Sequence, residues 1–216
     1  MTSDTNATPP PLPDYTQNAG SQFSPQQLMQ TREGRRTLIS CGVSVVVGGF
    51  LMLLVMALMI RQLGFGAAFV GTIVAFMPAP FYLLAVLCID RFDPEPGWAI
   101  AASFFWGGLV AILVSMAMNT MFGTTLGEIA GARQGSTLTS IISAPIFEEG
   151  SKGVFLLILL LFVRKEFDGI VDGIFFACVI ALGFATFENI LYYGGQFADY
   201  GIGALISNVF DRGVLA

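Results

Sequence analysis

The chain has 216 residues, is 55% hydrophobic and 12% charged, and has a mean hydropathy of +0.74, more apolar character than a water-soluble domain can bury. It therefore reads as an integral membrane protein. A net charge of −5 without a dense basic run excludes a general nucleic-acid surface.

Residues 1–36 are rich in Pro, Gln, Ser, Thr and Asn and hold too few apolar residues to offset the entropy of ordering, so they read as a disordered tail. The first long apolar run begins only at Thr37, too late for a signal peptide. Residues 37–60 carry no charge over 24 residues, more than the about 20 a helix needs to cross the hydrocarbon, and form the first predicted span. After a turn at Arg61 and Gln62, residues 63–89 form a second, kinked by Pro78 and Pro80. Residues 90–96 are an acidic, proline-containing connector, and residues 97–122 a third span with Trp98 at the interface.

The polar, glycine-containing stretch 123–137 reads as a loop, and residues 138–163 as the fourth span. A charged connector lies within 164–172, residues 170–193 form a fifth span, and residues 200–210 begin a sixth apolar run that meets Asp211 and Arg212. The predicted fold is an all-α polytopic bundle over residues 37–216, with five complete spans and the start of a sixth. Cys41, Cys88 and Cys178 lack any metal-ligand spacing and read as small core residues. With the tail inside, Arg32, Arg35, Arg36, Arg91, Arg164 and Lys165 are cytoplasmic, against Arg61 and Arg133 outside, which favours a cytoplasmic N-terminus.

The chemistry concentrates in residues 144–152, Ala-Pro-Ile-Phe-Glu-Glu-Gly-Ser-Lys, where Glu148, Glu149 and Lys152 interrupt an apolar run. Ionisable groups inside a membrane are costly and mark functional sites. On a helix Lys152 can reach either carboxylate, while Glu148 and Glu149 point about 100° apart and so take different roles. One faces a reaction centre; the other pairs with Lys152 or fixes the helix. Pro145, with Ser143 as its cap, is expected to start the helix and put both glutamates in its first turn.

Glu149 would then lie four residues from the outer helix end, and Glu188 five residues before Tyr193. Ala177, Ala181 and Ala185, on the Glu188 face, would pack against the Glu148/Glu149 helix and bring the carboxylates together. Close acids in a low dielectric retain one another's protons and can serve as general base and acid. A buried ion-pair cluster that only fixes helix register, or a proton or ion pathway, is the competing reading of the same residues. No repeat of the transporter kind accompanies them.

Ala144-Pro145-x-x-Glu148-Glu149-x-x-Lys152, followed by Phe187-Glu188-Asn189-Ile190-Leu191-Tyr192, resembles the PrsW family of intramembrane proteases. Phe92-Asp93-Pro94-Glu95-Pro96 and Gly183-Phe184-Ala185-Thr186 are similar to that family too, so the resemblance covers about residues 90–212. The family is related in layout to the CAAX prenyl endopeptidase and bacteriocin-immunity membrane proteins. The resemblance implies hydrolysis of a peptide bond in a membrane-anchored protein, an anti-sigma factor in the type member, in a bacterial cytoplasmic membrane. By position it makes Glu148, Glu149 and Glu188 the essential acids, with Lys152 beside them, and Phe187, Asn189 and Tyr192 orienting groups.

It also implies a divalent metal such as zinc, with Glu149 and Glu188 as candidate ligands. The family carries a further histidine motif, and this chain contains no histidine. The end of the chain inside an apolar run reads as that of a fragment. A zinc site wants nitrogen or sulfur ligands beside carboxylate, so metal-assisted hydrolysis and a glutamate-activated water both remain open. A non-catalytic membrane scaffold or immunity-type binder is the alternative that the missing histidine favours.

Overall fold

The computed structural model describes residues 32–89, 95–162 and 169–214, which are helical apart from short joints, with no strand among them. The helices are α1 (Arg32–Leu63), α2 (Phe65–Phe76), α3 (Ala79–Ile89), α4 (Gly97–Phe105), α5 (Ile112–Ala130), α6 (Ala132–Leu138), α7 (Ala144–Phe162), α8 (Ile170–Tyr200) and α9 (Ile202–Val214). A π-helical turn, Trp106–Ala111, joins α4 to α5, and a second, Thr139–Ser143, joins α6 to α7.

The all-α bundle expected from the apolar runs is what forms. Among the described residues four helical stretches, Gly42–Leu63, Phe65–Cys88, Gly97–Ala130 and Ile170–Tyr200, are long and apolar enough to cross a membrane. Large apolar side chains such as Phe50, Leu53, Phe81, Leu84 and Phe162 point outward, as lipid-facing residues do. α7 is 19 residues long but carries the three charges of the glutamate motif. The tail reading of residues 1–31 and the connectors at 90–94 and 163–168 lie outside the described residues. α1 starts at Arg32, five residues before the apolar run itself.

The chain divides into two compact units, Met1–Val46 and Val47–Ala216. In the first, the described side chains Ile39, Val43, Val45 and Val46 are exposed. In the second, α8 is the central element: half of its most apolar window is buried. Phe184, Phe187, Ile190 and Tyr193 of α8 join Val55, Met59, Ala75, Leu109, Ile112 and Leu205 in one core. Phe175, Phe176 and Val179 join Ala99 and Leu159 in another.

Glycine decides how closely α8 is approached. A Cβ on Gly107 would collide with the carbonyl of Ile180, and one on Gly183 with the carbonyl of Phe104. The two backbones pass at a distance that only hydrogen side chains allow. The alanine stripe expected to serve this purpose does not: Ala181 and Ala185 are exposed, and Ala177 is half-buried. Small residues do bring helices onto α8, but on its glycine face.

Further expectations are corrected. Stretch 123–137 is helical hairpin rather than loop, reversing at Gly131 with φ 88°. Its hydroxyls return their hydrogen bonds to the helix: Thr125 Oγ1 to the Met121 carbonyl at 2.9 Å and Thr137 Oγ1 to that of Arg133 at 3.0 Å. A Cβ on Gly135 would strike the Gly127 backbone, so these glycines serve close packing as well as the turn. Cys88 is exposed and Cys178 half-buried, so these two are not core residues.

Pro145 does not start a helix. The π-helical turn Thr139–Ser143 leads directly into Ala144, whose N–H bonds the Thr139 carbonyl. A widened turn is how a helix runs through a proline that lacks an N–H and crowds the carbonyl four residues back. Ser143 therefore has helical surroundings and is not a cap, and the glutamates do not occupy a free first turn. α8 likewise continues to Tyr200, so Glu188 sits well inside its helix rather than near an end at Tyr193.

Candidate functional site

α5, α7 and α8 converge on a cavity of about 380 Å³. Glu148 of α7 and Glu188 of α8 both line it, together with Ser115, Asn119 and Thr120 of α5, Gln62 near the end of α1, and Tyr192. Phe184, Leu191, Ile112 and Met116 form its apolar wall. Two carboxyl groups 40 residues apart in sequence thus open onto one space.

Packing beside the motif fixes α7. The Trp106 indole Nε1 donates to the Ser151 carbonyl at 3.0 Å, and its ring stacks on Phe155 with centroids 4.8 Å apart. Phe122 of α5 packs on Phe147 at 5.2 Å. The residues on either side of Glu148 are therefore held against α5 and the first π-helical turn. This leaves its carboxylate little freedom to leave the cavity.

The two consecutive glutamates diverge. Lys152 Nζ donates to Glu149 Oε1 at 2.7 Å and lies 4.0 Å from the centre of the Phe184 ring. The Glu149 side chain is 74% exposed and that of Lys152 15%. Glu148 instead accepts from Asn119 Nδ2 at 3.5 Å, and Ser143 Oγ donates to Asn119 Oδ1 at 3.0 Å.

Of the residues singled out in the sequence, Glu148, Glu188 and Tyr192 line the cavity, and Lys152 and Glu149 form an ion pair beside it. Phe187 is 0% exposed, packed edge-on against Phe76 at 5.5 Å in the core. Asn189 is half-buried and is not part of the cavity wall. Ser115, Asn119, Thr120 and Trp106 were not singled out, and Ser143 and Gln62 were read only as a helix cap and a turn residue. A signal for two of them exists: Ser115 and Asn119 stand four residues apart inside an apolar run, on one helix face.

The donors present do not make a zinc site. Among the described residues no three His, Cys, Asp or Glu side chains cluster as metal ligands. The cavity itself offers two carboxylates, and the chain has no histidine. Two oxygen ligands fall short of the three nitrogen, sulfur or oxygen ligands that hold a catalytic zinc. What the cavity can do unaided is accept and deliver a proton and donate hydrogen bonds to a carbonyl.

Residues 95–216 match the model of the family described as PrsW family intramembrane metalloprotease. Protease PrsW of Bacillus subtilis (strain 168) is 33% identical over 111 residues, covering 51% of this chain and 48% of that protein. Protease PrsW of Clostridioides difficile (strain 630) is 29% identical over 126 residues, 54% of this chain and 51% of that protein. The Geobacillus kaustophilus (strain HTA426) protein of the same name is 30% identical over 103 residues, 48% and 43% of the two chains. The chain spans about half the length of the curated relatives it matches. No solved structure matches it.

Proposed function

The chain belongs to the PrsW family of intramembrane metalloproteases, and on that premise we propose that it hydrolyses a peptide bond of a membrane-anchored protein in the cavity between α5, α7 and α8. The observation that carries the reading is the meeting of Glu148 and Glu188, from two helices, in one cavity with amide and hydroxyl donors.

Glu148 acts as the general base. The Asn119 amide points an N–H at its Oε1, which orients the carboxylate toward the cavity. It takes a proton from water as the water oxygen bonds the scissile carbonyl carbon. Ser115, Gln62 and Tyr192 are the nearby groups able to donate to the oxygen that gains charge. As the C–N bond breaks, Glu188, protonated, gives its proton to the leaving nitrogen. The proton held by Glu148 returns to Glu188 through water, which restores the starting state.

Glu149 and Lys152 support this centre from outside the cavity. Their ion pair keeps the ammonium off Glu148, four residues back. A divalent metal such as zinc would require ligands beyond the two cavity carboxylates.

The substrate is a single-span or surface-anchored protein, and the membrane a bacterial cytoplasmic one. Gln62 lines the cavity from the end of α1, so the cavity is level with one end of that helix. With a cytoplasmic N-terminus this is the outer face. Cysteine labelling from outside tests the orientation: a probe at Arg133 is expected to react and one at Arg164 to stay protected, and the opposite pattern inverts the topology. New protein N-termini in membranes expressing the full-length protein, absent with Glu148→Gln or Glu188→Gln, test the activity.

A further inference from the structure

Most helical Ser and Thr hydroxyls here bond a carbonyl of their own helix. Thr72, Thr139, Ser140 and Thr186 each bond the carbonyl four residues back, at 2.7–3.0 Å. This is the ordinary fate of a hydroxyl in an apolar helix. Ser143 departs from it. Its Oγ crosses to Asn119 Oδ1, 24 residues away on α5, at 3.0 Å, and the side chain is 1% exposed.

The reason is local. Ser143 closes the π-helical turn that the chain forms ahead of Pro145, in which the Ala144 N–H reaches the Thr139 carbonyl five residues back. The same turn that accommodates the proline therefore aims a buried hydroxyl at α5.

That bond has a chemical consequence. An amide offers an acceptor at one end and donors at the other. With the Ser143 hydroxyl on Oδ1, the amino end of Asn119 is turned toward Glu148 and lies 3.5 Å from Oε1. This is the long end of an N–H···O bond, in a range that catalytic contacts leave when the substrate is bound. The cavity's other titratable groups are Glu188 and Tyr192, and Lys152 is committed to Glu149.

We propose that Asn119 is a positioning residue for Glu148, and that Ser143 sets the direction in which the Asn119 amide faces. The proposal rests on Glu148 as the base of the reaction above. It assigns Pro145 a part as well, since the proline imposes the turn that aims Ser143.

The test is a two-residue cycle on the full-length protein in bilayers. Its first readout is the infrared carboxylate band that disappears in Glu148→Gln. Ser143→Ala and Asn119→Leu are expected to shift this band alike, the double variant no further, and Ser143→Thr to leave it in place. A band unmoved by Asn119→Leu overturns the proposal, whether or not the protein cleaves anything.

The second readout is turnover, followed as formation of new protein N-termini in isolated bacterial membranes. Asn119→Leu is expected to slow it by about 10- to 100-fold, the usual scale for a group that orients a catalytic ligand. Ser143→Ala should slow it less, and not at all in the Asn119→Leu background. Equal losses in both backgrounds overturn the relay. Band shifts in the variants as described, together with a wild-type protein that cleaves nothing, would refute the proteolytic reading and leave the geometry standing.

Discussion

Lys152 holds Glu149 and not Glu148: its Nζ is 2.7 Å from Glu149 Oε1 and rests over the Phe184 ring. The pair separates two adjacent acids into an outer partner and an inner reagent. Glu149→Gln releases the ammonium, which can then turn to Glu148, four residues before it. Glu149→Gln is therefore expected to lose activity while costing only about 1 kcal/mol of stability, because Glu149 is 74% exposed. Adding Lys152→Met should restore turnover toward wild type. A double variant as inactive as Glu149→Gln would mean that Glu149 itself is a reagent.

Gly183 admits the backbone of Phe104, and a Cβ there would meet that backbone rather than a movable side chain. Gly183→Ala should lower stability by about 3 kcal/mol, the upper range for overpacking a site that cannot yield. Gly153, with nothing within 4 Å, provides the control: Gly153→Ala should be neutral or slightly stabilising. Thermal unfolding in detergent compares them. Equal midpoints would refute the close approach.

Ser115 is 3% exposed and its hydroxyl has no hydrogen-bond partner among the described residues, although the residue borders the cavity. A buried unsatisfied hydroxyl stabilises nothing. Ser115→Ala is expected to keep or raise the melting temperature while weakening substrate binding or turnover. A melting temperature several degrees lower would show that the hydroxyl has a structural partner.

Much of this was legible in the chain. Apolar runs longer than a bilayer is thick gave the helices, since a membrane leaves the backbone few other options. The divergence of Glu148 and Glu149 followed from helix geometry alone. What was not legible is where a helix continues past its usual stop signals. Pro145 read as a start, and the glycines and threonines of 123–137 as a loop. A π-helical turn, hydroxyl bonds to carbonyls and close glycine packing carry the helices through, and each depends on a neighbour distant in sequence. Asn119 was missed for the same reason: it gains meaning only when α5 lies against α7.

Trp106 ties the first π-helical turn to α7 by its Nε1 bond to Ser151 and its stack on Phe155. Trp106→Phe keeps a ring and loses the bond, a cost of about 1 kcal/mol. Trp106→Leu loses the stack too, a further cost of about 1 kcal/mol. The melting temperatures should fall in the order wild type, Trp106→Phe, Trp106→Leu. Identical values for the two variants would remove the stacking contribution.

The central claim is that Glu148 and Glu188 do the chemistry together. Its most direct test is to compare new protein N-termini in membranes carrying the wild-type, Glu148→Gln and Glu188→Gln full-length proteins at matched abundance. Each variant is expected to lose about 100- to 10,000-fold in the rate of any cleavage dependent on the wild type, the scale of a general acid or base. Wild-type-dependent cleavage that persists unchanged in either variant would contradict the account.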